Sequence, residues 1–375
     1  MKVIISGGGS GGHIFPALAI ANTIKQRLPE SQILFVGAEG RMEMEKVPAA
    51  GYRIVGLPIA GLQRQLSFQN IIKNLCLPFK VIRSRMKVRG IIRDFNPDIV
   101  VGVGGYASEP TLKMASRMGY VTLLQEQNSY AGLTNKSLAK SAAKICVAYD
   151  GMERFFPADK LVFTGNPVRA DIENLSVSRH EGCSHFGVDE TKPVMLSVGG
   201  SLGARSINNM ILANLTFFKE NDIQLIWQTG RWMHDQAVEA VCEAGMEKWI
   251  KVHQFISKMD MAYAASDVVV SRAGAIAISE LCVVGKPVIL IPSPNVAEDH
   301  QTKNAMSLAD KGAAVVVSDS DCKHKCLPLA LELIHNESRR TRMGKAIKAL
   351  AVPHAADLIV DQLEKLVNQS KSVMV

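Results

Sequence analysis

The chain has 375 residues, 47% of them hydrophobic and 21% charged, a composition that suits a soluble globular protein and a length that favours two domains over one core. Its seven cysteines are scattered, too few apolar residues precede the first glycines for a signal peptide, and no apolar run approaches the roughly 20 residues that span a bilayer, so a cytoplasmic chain with reduced thiols is expected. The net charge of +8 is regional: from Val47 to Arg93 there are nine Lys or Arg and no Asp or Glu, and such a patch usually meets nucleic acid or an anionic membrane.

In chain order, Lys2–Ile5 reads as a short buried strand, followed by the turn Ser6-Gly-Gly-Gly-Ser10-Gly11-Gly12-His13. A helix is predicted from about Pro16, because proline fits a first helical turn. Leu18, Ala21, Ile24 and Leu28 then recur at helical spacing. Further strands are predicted at Ile33–Val36, Ile99–Val103, Val121–Leu124 and Ile145–Val147, alternating with helices as in a parallel sheet. The pattern restarts at Pro193–Val198, with a second glycine turn at Gly199–Gly203 and a helix from Ala204. Strands follow at Gln224–Gln228, Ile250–His253, Asp267–Ser271, Val288–Ile291 and Ala314–Val317. The expected class is α/β: two doubly wound Rossmann-like domains, residues 1–165 and 166–351, facing a cleft, with ligands at the carboxyl ends of the strands. A last helical stretch, about Ala355–Asn368 within 352–375, could pack on either domain, the amino-terminal one included.

The first glycine turn admits several uses. Gly7, Gly9 and Gly12 fit the G-x-G-x-x-G dinucleotide pattern, but the nearest acidic residue for a ribose, Glu39, falls a few residues late. Gly7 and Gly12 also have the spacing of a phosphate loop, yet His13 and Ile14 stand where Lys and Ser/Thr would hold phosphate and magnesium. What remains is a helix amino terminus suited to anions, with His13 at its mouth as a candidate base near neutral pH, or a plain tight turn capped by that histidine. In the second half, Ser271-Arg-Ala-Gly274-Ala275-Ile276-Ala277-Ile278-Ser279-Glu280 is a strand end, loop and helix start. Its amides could face a diphosphate while Glu280 accepts a ribose diol, or Glu280 could simply complement a helix dipole. Gln301 and Asn304 suit sugar hydroxyls. No metal is expected. Asp319-Ser-Asp321 looks like a D-x-D metal motif but reads as a surface loop, and Cys322-Lys-His-Lys-Cys326 lacks a second ligand pair and reads as a surface coincidence.

Taken together, these stretches resemble the bacterial peptidoglycan lipid-intermediate N-acetylglucosaminyltransferases, enzymes of the glycosyltransferase B fold. The likeness is carried by Gly8–His13, Gly104-Gly105-Tyr106, Glu126-Gln-Asn128 with Ala131–Lys136, Gly165–Arg169, Gly199–Ala204, Ser271–Gly274 with Ser279-Glu280, and Asp299-His-Gln301. It implies inverting transfer of GlcNAc from UDP-GlcNAc to the muramoyl 4-hydroxyl of lipid I, with no cofactor. By that resemblance Arg169 and Ser201 contact the diphosphate region and the Ile256 backbone reads uracil. Residues Ala275 to Glu280 cover diphosphate and ribose, and Gln301, Asn128 and Ser10-Gly11-Gly12 reach the donor sugar or diphosphate. Gly104, Gly105 and Tyr106 are implied on the acceptor side. Family members often carry Thr at position 10, His at 125 and Gln at 202, where this chain has Ser10, Gln125 and Leu202. The loss of a histidine at 125 leaves His13 first and Glu126 second as candidate bases. The alternatives are another two-domain nucleotide-sugar transferase or epimerase with a soluble acceptor, and a nucleotide-binding regulatory protein.

A lipid acceptor gives the basic segment a use. Phe68, Ile71, Ile72 and Leu75 share one helical face, and Leu77, Phe79, Val81 and Ile82 follow among Lys73, Lys80, Arg83, Arg85 and Lys87. Apolar side chains beside cations are what an interfacial anchor on anionic lipid needs. A nucleic-acid partner is not expected, because a stacking platform or recognisable binding module is missing. The resemblance thus implies a peripheral protein on the cytoplasmic face of the inner membrane, in the company of other cell-wall synthesis proteins.

Overall fold

The computed structural model describes residues 1–59, 77–200 and 202–373. The chain divides into two units, Met1–Val168 with His354–Val375, and Arg169–Pro353.

In the first unit the order is β1 (Lys2–Ser6), α1 (Gly11–Arg27), β2 (Gln32–Ala38), α2 (Glu43–Ala49), β3 (Arg53–Leu57), α3 (Leu77–Phe95), β4 (Ile99–Gly102), α4 (Ser108–Arg117), β5 (Thr122–Glu126), α5 (Leu133–Leu138), β6 (Lys144–Val147) and β7 (Leu161–Phe163). All seven strands are parallel, in the order β3-β2-β1-β4-β5-β6-β7. The sheet is covered on both faces, so β1 is buried on both sides. Val3 and Ile5 pack with Ile14, Ile20 and Ile24 of α1, whereas Ile4 packs on the other side with Val88 and Ile92 of α3 and Leu112 of α4. Two edge strands were not foreseen. β3 leaves three of its five residues at least partly exposed and β7 spans only three residues, too short and too wet to stand out as apolar runs.

The second unit contains α6 (Ala170–Glu173), α7 (Arg179–Phe186), β8 (Val194–Val198), α8 (Arg205–Leu212), α9 (Thr216–Glu220), β9 (Gln224–Gln228), α10 (His234–Glu243), β10 (Ile250–His253), α11 (Met259–Ala265), β11 (Val268–Ser271), α12 (Ala275–Val284), β12 (Val288–Leu290), α13 (His300–Ala309), β13 (Val315–Val316), α14 (Cys322–His335) and α15 (Glu337–Lys348). Its six parallel strands run β10-β9-β8-β11-β12-β13. Both sheets therefore reverse direction beside their first strand, which leaves a crevice at the carboxyl ends of β1 and β4 and of β8 and β11.

The chain then returns to the first unit as α16 (Ala355–Val373). Its Ile359, Val360, Leu363 and Val367 complete the core under α1, and Arg27 at the end of α1 meets Asp361 at 2.8 Å and Glu364 at 3.2 Å. These ion pairs are partly exposed and contribute little; the apolar burial holds the helix.

Helix α1 starts five residues before Pro16. The N–H groups of His13 and Ile14 both donate to the Ser10 carbonyl, at 3.1 and 3.2 Å, so Gly11 and Gly12 form the first turn and His13 lies within it. Cys322 and Cys326, read as surface residues, are buried one turn apart on α14. Burial rather than metal spacing accounts for them, and no cluster of three or more His, Cys, Asp or Glu able to hold a metal occurs among the described residues.

Candidate functional site

At the carboxyl end of the first sheet, two glycine loops meet backbone to backbone. Gly105 lies at φ +87°, and a Cβ there would collide with the Gly8 carbonyl oxygen. A Cβ on Gly104 would fall 2.8 Å from His13 Cε1, so the glycine lets the imidazole lie close against the loop after β4. Ser108 Oγ ties that loop down, its single hydrogen shared between the Ser6 carbonyl at 2.6 Å and the Gly104 carbonyl at 2.9 Å. Tyr106 stays largely exposed beside Gly9. Ser10 caps α1 through its extended backbone without a side-chain bond.

The glycine loop is also clamped from α2, by a residue with no signal in the sequence. Buried Glu43 accepts the N–H of Gly9 on Oε2 at 2.9 Å and the N–H of Ala38 on Oε1 at 3.0 Å. One carboxylate thus joins the end of β2 to the loop after β1.

His13 Nδ1 lies 3.1 Å from Gln127 Oε1. Glu126, the other candidate base, is engaged with its own loop. Its Oε1 accepts from the N–H and Nδ2 of Asn128, at 3.1 and 3.2 Å, and its Oε2 from the N–H of Gly132 at 3.0 Å and Asn135 Nδ2 at 2.9 Å. Four donors fill a buried carboxylate. Glu126 therefore organises the 128–135 loop, and Asn128 is drawn into that job. Gln125, whose amide has no basic nitrogen, is fully buried.

In the second unit, a cavity of about 820 Å³ opens at the corresponding crevice. Its walls are the glycine turn (Gly199, Gly200, Gly203), the start of α8 (Ala204–Ser206), Ser271, Arg272 and Gly274 with Ala277, and Ser293, Asn295, Gln301 and Asp319. The turn stacks directly on the loop after β9: at Gly203, φ is +80° and a Cβ would overlap the Thr229 carbonyl oxygen. Neither α8 nor α12 has a side-chain cap or an acidic residue in its first turn. Both amino termini therefore offer backbone N–H groups and positive dipole ends to an anion.

Within the expected span 275–280 the groups are engaged differently. Ile278 N–H already donates to the Gly274 carbonyl at 2.9 Å, and the side chains of Ala275, Ile276 and Ile278 are core. Only the first-turn amides of 275–277 are placed to face an anion; Ser279 Oγ donates back to the Ala275 carbonyl at 3.0 Å. Glu280 lies deeper. Its carboxylate meets Arg169 Nε at 3.3 Å and accepts from Tyr263 OH at 3.2 Å. Burial pushes the Glu280 carboxyl up, with Arg169 pulling the other way, and the fully buried Tyr263 hydroxyl is pushed well up by burial and by Glu280. Arg169, expected at the diphosphate, here pairs with Glu280.

Ile256 N–H donates to Gln228 Oε1 at 2.8 Å, while Gln228 Nε2 donates to the Gly200 carbonyl at 3.0 Å. Gln228 is a second residue without a sequence signal; it links the glycine turn to the loop at Ile256 and occupies the amide expected to read uracil. Gln301 Oε1 accepts the Ser293 N–H at 2.9 Å, on the cavity wall. The D-x-D carboxylates separate. Asp319, on the cavity wall rather than in a detached surface loop, accepts from Arg272 Nη1 at 2.6 Å and Ser206 Oγ at 2.5 Å. Asp321 turns to Lys325 at 2.8 Å.

Two family models match the chain: the glycosyltransferase family 28 amino-terminal domain over residues 3–147 and the carboxy-terminal domain over residues 194–359. The chain belongs to glycosyltransferase family 28. A relative from Parabacteroides distasonis is 54% identical over 98% of this chain and 99% of its own length, and one from Bacteroides fragilis is 54% identical over 99% and 97%. Both are named UDP-N-acetylglucosamine--N-acetylmuramyl-(pentapeptide) pyrophosphoryl-undecaprenol N-acetylglucosamine transferase. Among solved structures, MurG of Acinetobacter baumannii matches with a TM-score of 0.76 at 28% identity, covering 97% of this chain and 99% of that one. The UDP-GlcNAc 2-epimerase of Neisseria meningitidis, solved with UDP-GlcNAc, matches with a TM-score of 0.65 at 15% identity over 97% of this chain and 100% of that one, a likeness of fold alone.

The basic segment is divided by the described residues. Ile71, Ile72, Leu75 and Ser201 lie outside them, as do the side chains of Phe79 and Lys80. On the rest of α3, Ile82 and Met86 are exposed, 54% and 65%, on a surface shared with Arg83, Lys87, Arg89 and Arg93. Arg85 is turned to Glu109 at 2.6 Å and Lys87 meets Glu39 at 3.0 Å. No helix among the described residues is long and apolar enough to cross a membrane.

Proposed function

We propose that this family 28 chain transfers GlcNAc from UDP-GlcNAc to the muramoyl 4-hydroxyl of lipid I, giving lipid II. The observation that carries the reading is near-full-length identity above half to transferases named for that donor and acceptor. The epimerase alternative has only a shared fold behind it.

In this reading the second unit binds the donor. First-turn amides of α12 and the 199–203 turn hold the diphosphate, Gln301 addresses the sugar, and Glu280, kept in place by Arg169 and Tyr263, takes the ribose diol. Uracil is read at 256 by exchange with Gln228 or through the main-chain carbonyl. The first unit takes the acceptor beside Gly104–Tyr106. The 4-hydroxyl oxygen attacks the anomeric carbon from the face opposite UDP. The bond from that carbon to the phosphate oxygen breaks, its electron pair leaves with UDP, and the hydroxyl proton passes to His13. Base assistance of this kind is worth about 10²–10⁴ in rate, and the charge arriving on UDP is met by preorganised amides.

The exposed face of α3, with apolar Ile82 and Met86 among cations, suits peripheral attachment to the anionic inner face of the cytoplasmic membrane, where a lipid acceptor resides. The deciding experiment is transfer of radiolabel from UDP-GlcNAc to a lipid I analogue in anionic vesicles, with UDP-GalNAc as control. Wild type should label the analogue from UDP-GlcNAc only, and His13→Ala should bind UDP normally while losing most turnover. Labelling from neither sugar, or turnover of a soluble sugar acceptor instead, would overturn the reading.

A further inference from the structure

We propose that Gln127 is a positioning residue for His13, and that a closed chain of buried amides, Gln127–Gln125–Asn166, fixes which nitrogen of the imidazole carries the proton. The inference rests on the reading of His13 as the base.

The direction of each amide follows from its neighbours. The Nε2 end of Gln127 lies 2.8 Å from the Val103 carbonyl and 3.3 Å from the Gln125 carbonyl, and also contacts Gln125 Oε1. Three acceptors surround that end, so it must be the NH2 group. Gln125 then uses its own Nε2 to donate to Asn166 Oδ1 at 3.0 Å, and Asn166 Nδ2 donates to the main-chain carbonyl of Gln127 at 2.9 Å. The circuit starts and ends on Gln127. Reversing any one amide would set oxygen against oxygen or NH2 against NH2, and all three residues are buried to 3% exposure or less, so such a mismatch would go uncompensated.

What faces His13 is therefore Gln127 Oε1, which can only accept. Nδ1 at 3.1 Å must hold the hydrogen, and Nε2 is left as the basic nitrogen. The ionisable groups on neighbouring elements are engaged elsewhere: Glu126 at the end of β5 with its own loop, Glu43 of α2 with Gly9 and Ala38. Tyr106 lies beside Gly9. A neutral amide orients the ring without the rise in proton affinity that a carboxylate at Nδ1 would bring. His13 is thus kept in the tautomer that leaves Nε2 to accept a proton.

The test combines spectroscopy and kinetics on the full chain. In protein labelled with 15N-histidine, the His13 signals are those lost in His13→Ala, and they should show protonated Nδ1 and unprotonated Nε2 from pH 7 to 8. The opposite tautomer would overturn the proposal without any further variant. Gln127→Leu should lower kcat roughly 10- to 100-fold with KM for UDP-GlcNAc within about twofold, and should cost nothing further in the His13→Ala background. Additive losses would mean a general structural role and would overturn it. Gln125→Leu, which does not touch the ring, should give a mixed His13 tautomer; an unchanged one removes the outer amides from the proposal. Near-normal transfer by His13→Ala would instead defeat the base reading on which all this stands.

Discussion

Replacing Glu43 with Gln tests the clamp on the glycine loop with a change of one atom. The two carboxylate oxygens accept two different backbone N–H groups, Gly9 at 2.9 Å and Ala38 at 3.0 Å, and the side chain is 1% exposed. An amide has a single oxygen, so one N–H must face an NH2 group. One charge-assisted bond is lost and the other weakened, with a buried donor left facing a donor, a cost of about 2–4 kcal/mol. For a unit of this size that corresponds to a fall in Tm of roughly 5–12 °C. Differential scanning calorimetry should place the loss in the transition of the first unit. Because Gly9 belongs to the loop that leads into His13, kcat should fall while UDP affinity, a property assigned to the second unit, stays within twofold. A Tm within about 1 °C of wild type would refute the clamp.

Three other outcomes are expected. Gly203→Ala puts a Cβ into the Thr229 carbonyl at a φ of +80°; the loop must move, and UDP titration should show binding weakened at least tenfold. Burial raises the carboxyl of Glu280 above its ordinary value of 4.5, so the folded state holds that proton more tightly than the unfolded chain. Relative to Glu280→Gln, wild type should then be most stable below pH 4.5 and lose ground as pH rises through the raised value; urea titrations of both proteins from pH 4 to 7 check the sign, and a difference flat in pH rejects it. Arg83→Ala and Arg89→Ala should each weaken co-sedimentation with anionic vesicles by about 1 kcal/mol at low salt. Arg85→Ala, whose cation is already paired with Glu109, should do less, and equal effects would argue against the α3 face.

The sheets were legible because parallel strands buried on both faces are written as unbroken apolar runs such as Val3-Ile4-Ile5 and Val268-Val-Val-Ser271, each ending in glycine or a small residue. What defeated sequence reading was partnership at a distance. Glu126 and Glu43 are both carboxylates near a glycine loop, and nothing local says that one is spent on four donors of its own loop and the other on the ends of two strands. Gln127 and Asn166 stand 39 positions apart, and Arg169 reaches Glu280 across 111, so their roles exist only once the chain has folded. Pro16 misled for the opposite reason: a helix-start signal was read at face value, when glycines allowed the helix to begin a turn and a half earlier.

The return of α16 to the first unit has a consequence for synthesis on the ribosome. The second unit is continuous from Arg169 to Pro353 and can close as soon as it has emerged. The first unit cannot, since Ile359, Val360, Leu363 and Val367 belong to the layer beneath α1. Until they appear, Ile14, Ile20 and Ile24 have part of their covering missing. The half made first is thus the half completed last, and at a few to twenty residues per second its open apolar layer waits many seconds for a helix more than 300 positions downstream.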